Sequence, residues 1–453
     1  MLKPVPKIDP FDQLRASEFS RLDEHGIAYL DYAGAALYSA SQATAFSEHL
    51  HAGVYGNPHS AHAPSQASEC ELETARAATL AFFEADPAIY DVCFTANTSA
   101  AIKLVAESYR FGAHRGLALS ADNHNSVNGM REFARTAGAP IATLPLDEAL
   151  RLDDPRARLA AFANQHHGGL FAFPAQSNFS GVKHPLDLVE AAQGLGLDVL
   201  IDAAGVGACG GVSLRQHPAD FLAFSFYKIF GLPTGVGALI AKREALARLR
   251  RPWFAGGTVA FVSIEHDRHQ MRIGHDAFED GTPNFLNGGA IETGFDFLAR
   301  IDSPHLQQRM ERLTAYFINT AVAMTRRDGA PLVRIHGPAN TDARGGVVAF
   351  NIRRSAGSSA PYQEVEDMAR KAGVAIRGGC FCNPGAAERA FGFHNFDIAS
   401  CLDELASDFT IPRFQARLGP TATAGALRLS VGLATSFGDI DRALAVIADA
   451  APD

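Results

Sequence analysis

Short apolar runs bounded by turn residues alternate, over the first two thirds of the chain, with longer stretches of helical apolar spacing. The segments GLALSA, GLFAF, DVLIDAA, FLAFS and VGALIA are apolar almost throughout, as expected of strands buried on both faces. Between them, SQASECELETARAATLAFF (Ser65 to Phe83) and SAAIKLVAESY (Ser99 to Tyr109) place apolar residues on one helical face. This alternation predicts an α/β fold with a mostly parallel sheet flanked by helices. A polar arm to about Glu24 precedes it, and IAYLDYAGAAL reads as a short strand with a turn at Gly34. After IETGFDFLARI the pattern changes to a helix, VVAFNI, a Gly-rich loop, LRLSVG and a final helix, IDRALAVIAD. The expected organisation is an arm at 1–24, a large domain at 25–302 and a smaller α+β domain at 303–453, with a surface turn at Ser355 to Pro361.

Length supports two packed lobes, because 453 residues exceed one ordinary core. With 47% hydrophobic and 20% charged residues the chain has the balance of a soluble globular protein, so a packed fold is expected. A formal charge of -9 argues against nucleic acid and anionic lipid as partners. The start, MLKPVPKIDPFDQL, lacks a signal-peptide pattern, and no apolar run approaches the roughly 18 residues of a membrane span, so a cytoplasmic location is expected. Six scattered cysteines give no disulfide framework. Cys380 and Cys382 form a C-x-C pair without a second ligand cluster, so no metal is expected.

Candidate chemistry gathers at predicted strand ends. In SFYKIFGLPTGVGALIA, Lys228 lies in an apolar and aromatic stretch, where desolvation would make its amine a nucleophile able to form a Schiff base; a surface loop lysine is the alternative. Asp202 ends DVLID and could pair with a protonated pyridine nitrogen, with Ala204 leaving room for a ring face, or it could merely cap the turn. FTANTSAAIKL sets Thr98 and Ser99 at a helix start, where N–H groups and hydroxyls suit a phosphate as well as simple capping. His124 could stack on a ring or move protons, and Asn178 in PAQSNFSG could hold a ring hydroxyl or only shape a turn. Their joint order along the chain, ending in the Ser225-x-x-Lys228 pair, matches where open α/β sheets bind ligands.

Together with YGNPHS (Tyr55 to Ser60), DNHNSV, FEDGTPNF, RGGCFCNPGA and LRLSVG, these motifs resemble the class V pyridoxal-phosphate enzymes. The likeness is to the cysteine desulfurase branch, and most closely to the desulfurase domain of molybdenum cofactor sulfurases. It runs from LDYAGAA to the last helix. The resemblance implies the fold type I of pyridoxal-phosphate-dependent transferases, with pyridoxal 5'-phosphate as cofactor.

By that resemblance Lys228 is the Schiff-base lysine, Asp202 pairs with the ring nitrogen, His124 stacks on the ring and Asn178 contacts the ring oxygen. Thr98, Ser99 and Ser225 hold the phosphate, with Ala204 and Tyr227 beside the cofactor. Thr282 reaches the phosphate of a partner subunit, which implies a homodimer with shared active sites. Arg428 grips the carboxylate of an amino-acid substrate, with Asn178 alongside. Aligned on Arg377, the family's nucleophilic cysteine falls on Cys382 rather than Cys380. The implied activity converts L-cysteine to L-alanine, leaving a persulfide on Cys382 whose sulfur passes to an acceptor protein or to a molybdenum cofactor.

Three departures bear on this expectation. Gly205 stands where many desulfurases have Gln, Tyr227 where they have His, and Ala387 where the molybdenum cofactor sulfurase branch often has a further cysteine. The sequence ends at Asp453 without the added C-terminal domain of eukaryotic members, so a standalone desulfurase is expected. Two other classes stand beside it: a class V lyase or epimerase acting on another amino acid or a cysteine conjugate, and a catalytically silent scaffold, which the intact cofactor constellation disfavours.

Overall fold

The apolar runs of the first two thirds become one seven-stranded sheet in the computed structural model, which describes residues 9–166, 168–354, 358–393, 396–419 and 423–451. Part of the turn expected at 355–361 therefore lies outside the described residues. A two-residue strand β1 (Ala28–Tyr29) comes first, and the large sheet follows with β2 (Tyr90–Thr95), β3 (Gly116–Ser120), β4 (Ile141–Leu144), β5 (Gly169–Pro174), β6 (Leu197–Asp202), β7 (Phe221–Ser225) and β8 (Gly237–Lys242). Their order across the sheet is β2-β8-β7-β6-β5-β3-β4. β8 runs antiparallel to both neighbours, and the other pairings are parallel. β3, β5 and β7 are buried along their whole length, which explains why they read as continuous apolar runs rather than alternating ones.

Helices Ala63–Phe82 and Thr98–Ser108 lie where helical spacing placed them. An exposed antiparallel hairpin, β9 (Val259–Ser263) with β10 (Arg268–Met271), follows the large sheet. The C-terminal region forms β11 (Val333–His336), β12 (Val347–Ile352), β13 (Val374–Ala375), β14 (Arg377–Gly379) and β15 (Ala426–Ser430). Four of these make an antiparallel sheet in the order β11-β12-β15-β14. β1, from near the start of the chain, pairs with β13 in parallel.

The polar arm is a finding that the pattern did not give. Residues Pro10–Glu18 form a helix capped by Asp9. Its buried Arg15 donates from Nη1 to Asp439 Oδ2 at 2.6 Å, so a cation of the polar arm ties this helix to the helix Phe437–Asp449. Among the described residues no helix is long and apolar enough to cross a membrane.

Candidate active site

Strand ends and helix starts assemble the site. β2 stops at Thr95, and Asn97 caps the next helix by accepting from the Ala100 N–H at 3.0 Å. The Thr98 N–H donates to Ser225 Oγ at 2.8 Å, and the two hydroxyls lie 2.7 Å apart. First-turn N–H groups and the Thr98 and Ser225 hydroxyls thus converge at the positive end of the helix dipole. β8 passes close behind: a Cβ on Gly237 would lie 2.6 Å from Asn97 Cα, so a side chain there would push the cradle open.

Ser225 ends β7, and the short helix Tyr227–Phe230 turns Lys228 back over the sheet edge. Lys228 Nζ makes one long bond, to Ala33 O at 3.3 Å. Burial lowers its pKa, with Asp202 opposing the shift. Asp202, at the end of β6, is buried, and its Oδ1 accepts from the Ala204 N–H at 2.9 Å. Burial raises its pKa against that bond and against the charges of His124 and Lys228. His124 caps the short helix Asn125–Asn128, and its Nδ1 accepts from the Ser126 N–H at 3.1 Å. Burial pushes the ring toward its neutral form, with its proton on Nε2.

The cysteine loop is built differently. Phe381 and Cys382, which follow β14, both have left-handed backbones, φ 56° and 55°, at a cost of roughly 1 kcal/mol or more each for residues with a Cβ. Neighbours hold this shape. Asn178 Nδ2 donates to Phe381 O at 2.7 Å, and the Asn125 N–H donates to Cys382 O at 2.7 Å. Asn383 Nδ2 donates to Asp122 Oδ1 at 2.7 Å and reaches Asn178 Oδ1 at 3.1 Å. Buried Asp122 also accepts from Ser177 Oγ at 2.7 Å and faces His184 Nε2 at 2.8 Å. The loop is therefore stapled to the large sheet while Cys382 stays exposed.

Nine of the residues singled out in the sequence line one cavity of ≈ 380 Å³: Thr98, Ser99, His124, Asn178, Asp202, Ala204, Ser225, Tyr227 and Lys228. Arg428 is buried beside it, donating to Asn178 O at 2.9 Å, with its guanidinium 4.7 Å from the Phe381 ring centre. Thr282 stands apart, exposed in a neighbouring groove, with the Asn57 amide 3.3 Å from its hydroxyl. Sequence reasoning missed Ser126, whose hydroxyl is 2.5 Å from Ser99 Oγ, and the staple residues Asp122 and Asn383. The one local sign of Asn383 was its Asn-Pro pair, a helix-start signature, and it does cap Pro384–Phe391.

A seven-stranded sheet with one antiparallel strand and a separate four-stranded antiparallel sheet are the architecture of the pyridoxal-phosphate-dependent transferase fold type I. The chain belongs to the aminotransferase class-V family, whose model matches residues 28–442. It is 35% identical to a molybdenum cofactor sulfurase of Solanum lycopersicum over 94% of this chain and 56% of that protein. It is 36% identical to one of Homo sapiens over 84% of this chain and 45% of the other. The chain thus spans about half the length of the curated relatives it matches. Its fold is similar to the apo structure of a cysteine desulfurase from Thermococcus onnurineus, with TM-score 0.78, 22% identity and coverage of 99% of this chain and 98% of the other. A cysteine desulfurase of Escherichia coli is similar at TM-score 0.74 and 22% identity, covering 98% of this chain and 99% of that one.

The residues present fit pyridoxal phosphate. An anion cradle, a desolvated amine and a buried carboxylate face one cavity, and the side chain of Ala204 leaves room for a flat ring.

Proposed function

We propose that this chain is a cysteine desulfurase-like sulfurtransferase that takes sulfur from L-cysteine onto Cys382 and hands it to an acceptor, either a protein or a molybdenum cofactor. The observation that carries this reading is Cys382, an exposed thiol held in a strained loop beside Arg428 and the lysine cavity. Pyridoxal phosphate, when bound, supplies an electron sink for charge developing at the substrate α-carbon. Thr98, Ser99 and Ser225 would hold its phosphate, Asp202 its ring nitrogen, His124 its ring face and Lys228 its aldehyde carbon. Lys228, its ammonium form disfavoured by burial, moves a proton at Nζ. Arg428 orients the substrate carboxylate, and Cys382 attacks the substrate sulfur as a thiolate. That step forms an S–S bond and breaks the substrate C–S bond, whose electron pair stays with the β-carbon and takes up a proton, so alanine leaves and Cys382 keeps a persulfide.

Two further features belong to the proposal. Trp253, Phe261, Ile264 and Ile273, on and around the β9–β10 hairpin, are exposed apolar residues, which supports a homodimer in which Thr282 serves the partner's phosphate site. Free exposed thiols at Cys380 and Cys382 suit a reducing compartment such as the cytoplasm.

The deciding experiment incubates the cofactor-loaded protein with L-cysteine and a reductant and measures alanine, sulfide and pyruvate. Alanine matched by sulfide is expected, and Cys382→Ser should abolish both while leaving the cofactor absorbance intact. Pyruvate in place of alanine would overturn the reading in favour of a β-eliminating lyase.

A further inference from the structure

The arginine assigned to the substrate carboxylate is already bonded to a carboxylate. Arg428 Nη2 donates to Asp31 Oδ1 at 2.9 Å. The same aspartate is gripped by Arg377, whose Nε and Nη2 donate to Oδ2 at 3.0 and 2.6 Å. Asp31 follows β1 and bridges to Ser430 on the strand that carries Arg428, so backbone pairing sets the approach. Gly34 makes it possible: a Cβ there would lie 2.4 Å from Asp31 Oδ2 and 2.7 Å from Arg377 Nη2.

Two guanidinium groups against one carboxylate leave a single positive charge, which matches one incoming carboxylate. Arg428 does not depend on Asp31 for its position. Its Nη1 is bonded to Asn178 O, its plane is near the Phe381 ring, and its strand is paired on both sides. Its Nε is buried and has no hydrogen-bond partner among the described residues. Arg377, by contrast, is half exposed and spends its fork on Asp31.

We infer that Asp31 is an internal stand-in for the substrate carboxylate: it occupies Arg428 in the resting site, yields that arginine to an incoming amino acid, and is kept from following by Arg377. This rests on the assignment of Arg428 as the substrate-carboxylate residue in the proposed function. Asp31 is thereby a positioning and selectivity residue, a carboxylate competitor that weakens binding of a ligand carboxylate far more than it affects an amine-only ligand. Because Arg428 keeps its other anchors, removing the competitor frees a donor and leaves the arginine in place.

The test measures calorimetric binding of two cysteine fragments to the cofactor-loaded protein: 3-mercaptopropionate, which has the carboxylate and no amine, and cysteamine, which has the amine and no carboxylate. In Asp31→Asn, 3-mercaptopropionate should bind about tenfold tighter and cysteamine as in the parent. Unchanged or weaker 3-mercaptopropionate binding overturns the inference, since it means that Asp31 only orders Arg428. The double variant Asp31→Asn/Arg377→Gln restores the parent's net charge and keeps the test open should the single variant fail to fold. It should still bind 3-mercaptopropionate more tightly than the parent, whereas parent-like affinity would reduce the effect to charge alone and sink the stand-in. Failure of the desulfurase reading looks different: L-cysteine gives no alanine in any variant, while the shift in 3-mercaptopropionate affinity persists.

Discussion

Around Lys228 the functional groups stand at the ends of neighbouring strands, with Asp202 closing β6 and Ser225 closing β7, so the sheet register itself spaces them. Around Cys382 no strand does this work. The loop takes its shape from side chains of Asn178, Asn383 and Asp122 and from the Asn125 backbone, and two residues in it carry positive φ. One half of the site is thus set by backbone pairing, with many cooperating bonds. The other is set by a few buried polar contacts, each of which leaves a charge or amide unsatisfied when lost.

The largest effect should come from the strand-end half. Lys228→Ala is expected to cut alanine formation from L-cysteine about 10⁴-fold. Alkylation of Cys382 by iodoacetamide should proceed at the parent rate, and slower alkylation would show that the two halves are not independent.

Acid should separate them next. Burial holds His336 at about 4 in the fold, while the unfolded chain titrates near 6.5. Between those values the unfolded chain binds a proton that the folded one does not, so stability is full above pH 6.5 and falls as pH drops toward 4, by about 3 kcal/mol in all. His336 packs against Phe179 and Phe391, and Phe179 packs against Phe381. These contacts connect His336 to the cysteine loop. Urea unfolding at pH 7 and pH 4.5 should show the loss of stability, with a smaller drop for His336→Gln, and amide exchange should quicken first over Pro384–Phe391.

Smallest is Asn383→Ala, which removes the staple to Asp122 at a cost of about 1–3 kcal/mol. Alanine formation should fall about tenfold with cofactor absorbance unchanged; loss of the cofactor would mean that the staple also supports the pocket.

The contrast also explains what could be read from the sequence. Asp202, Ser225 and Lys228 were legible because strand ends announce themselves locally, through an apolar run followed by small or polar residues. The parallel core was legible for the same reason. Asp122 and Asn383 are 261 positions apart, and Asp31 and Arg377 are 346 apart, so no local window joins either pair. The helix Pro10–Glu18 was hidden because its main anchor, Arg15, is a cation that finds its carboxylate near the other end of the chain. Cys382 was placed through family resemblance and not through any local rule.

The pairing of β1 with β13 has a consequence for synthesis of the protein. Ala28 and Tyr29 leave the ribosome well before Val374 and Ala375, the edge that they join. At roughly 5–20 residues per second that wait lasts tens of seconds, during which Leu30 and its apolar neighbours lack their burial partners. The large sheet can form in the meantime, but the cluster in which Asp31 meets Arg377 and Arg428 closes only as β15 is added. The nascent chain is thus without the Asp31, Arg377 and Arg428 cluster until β15 has been made.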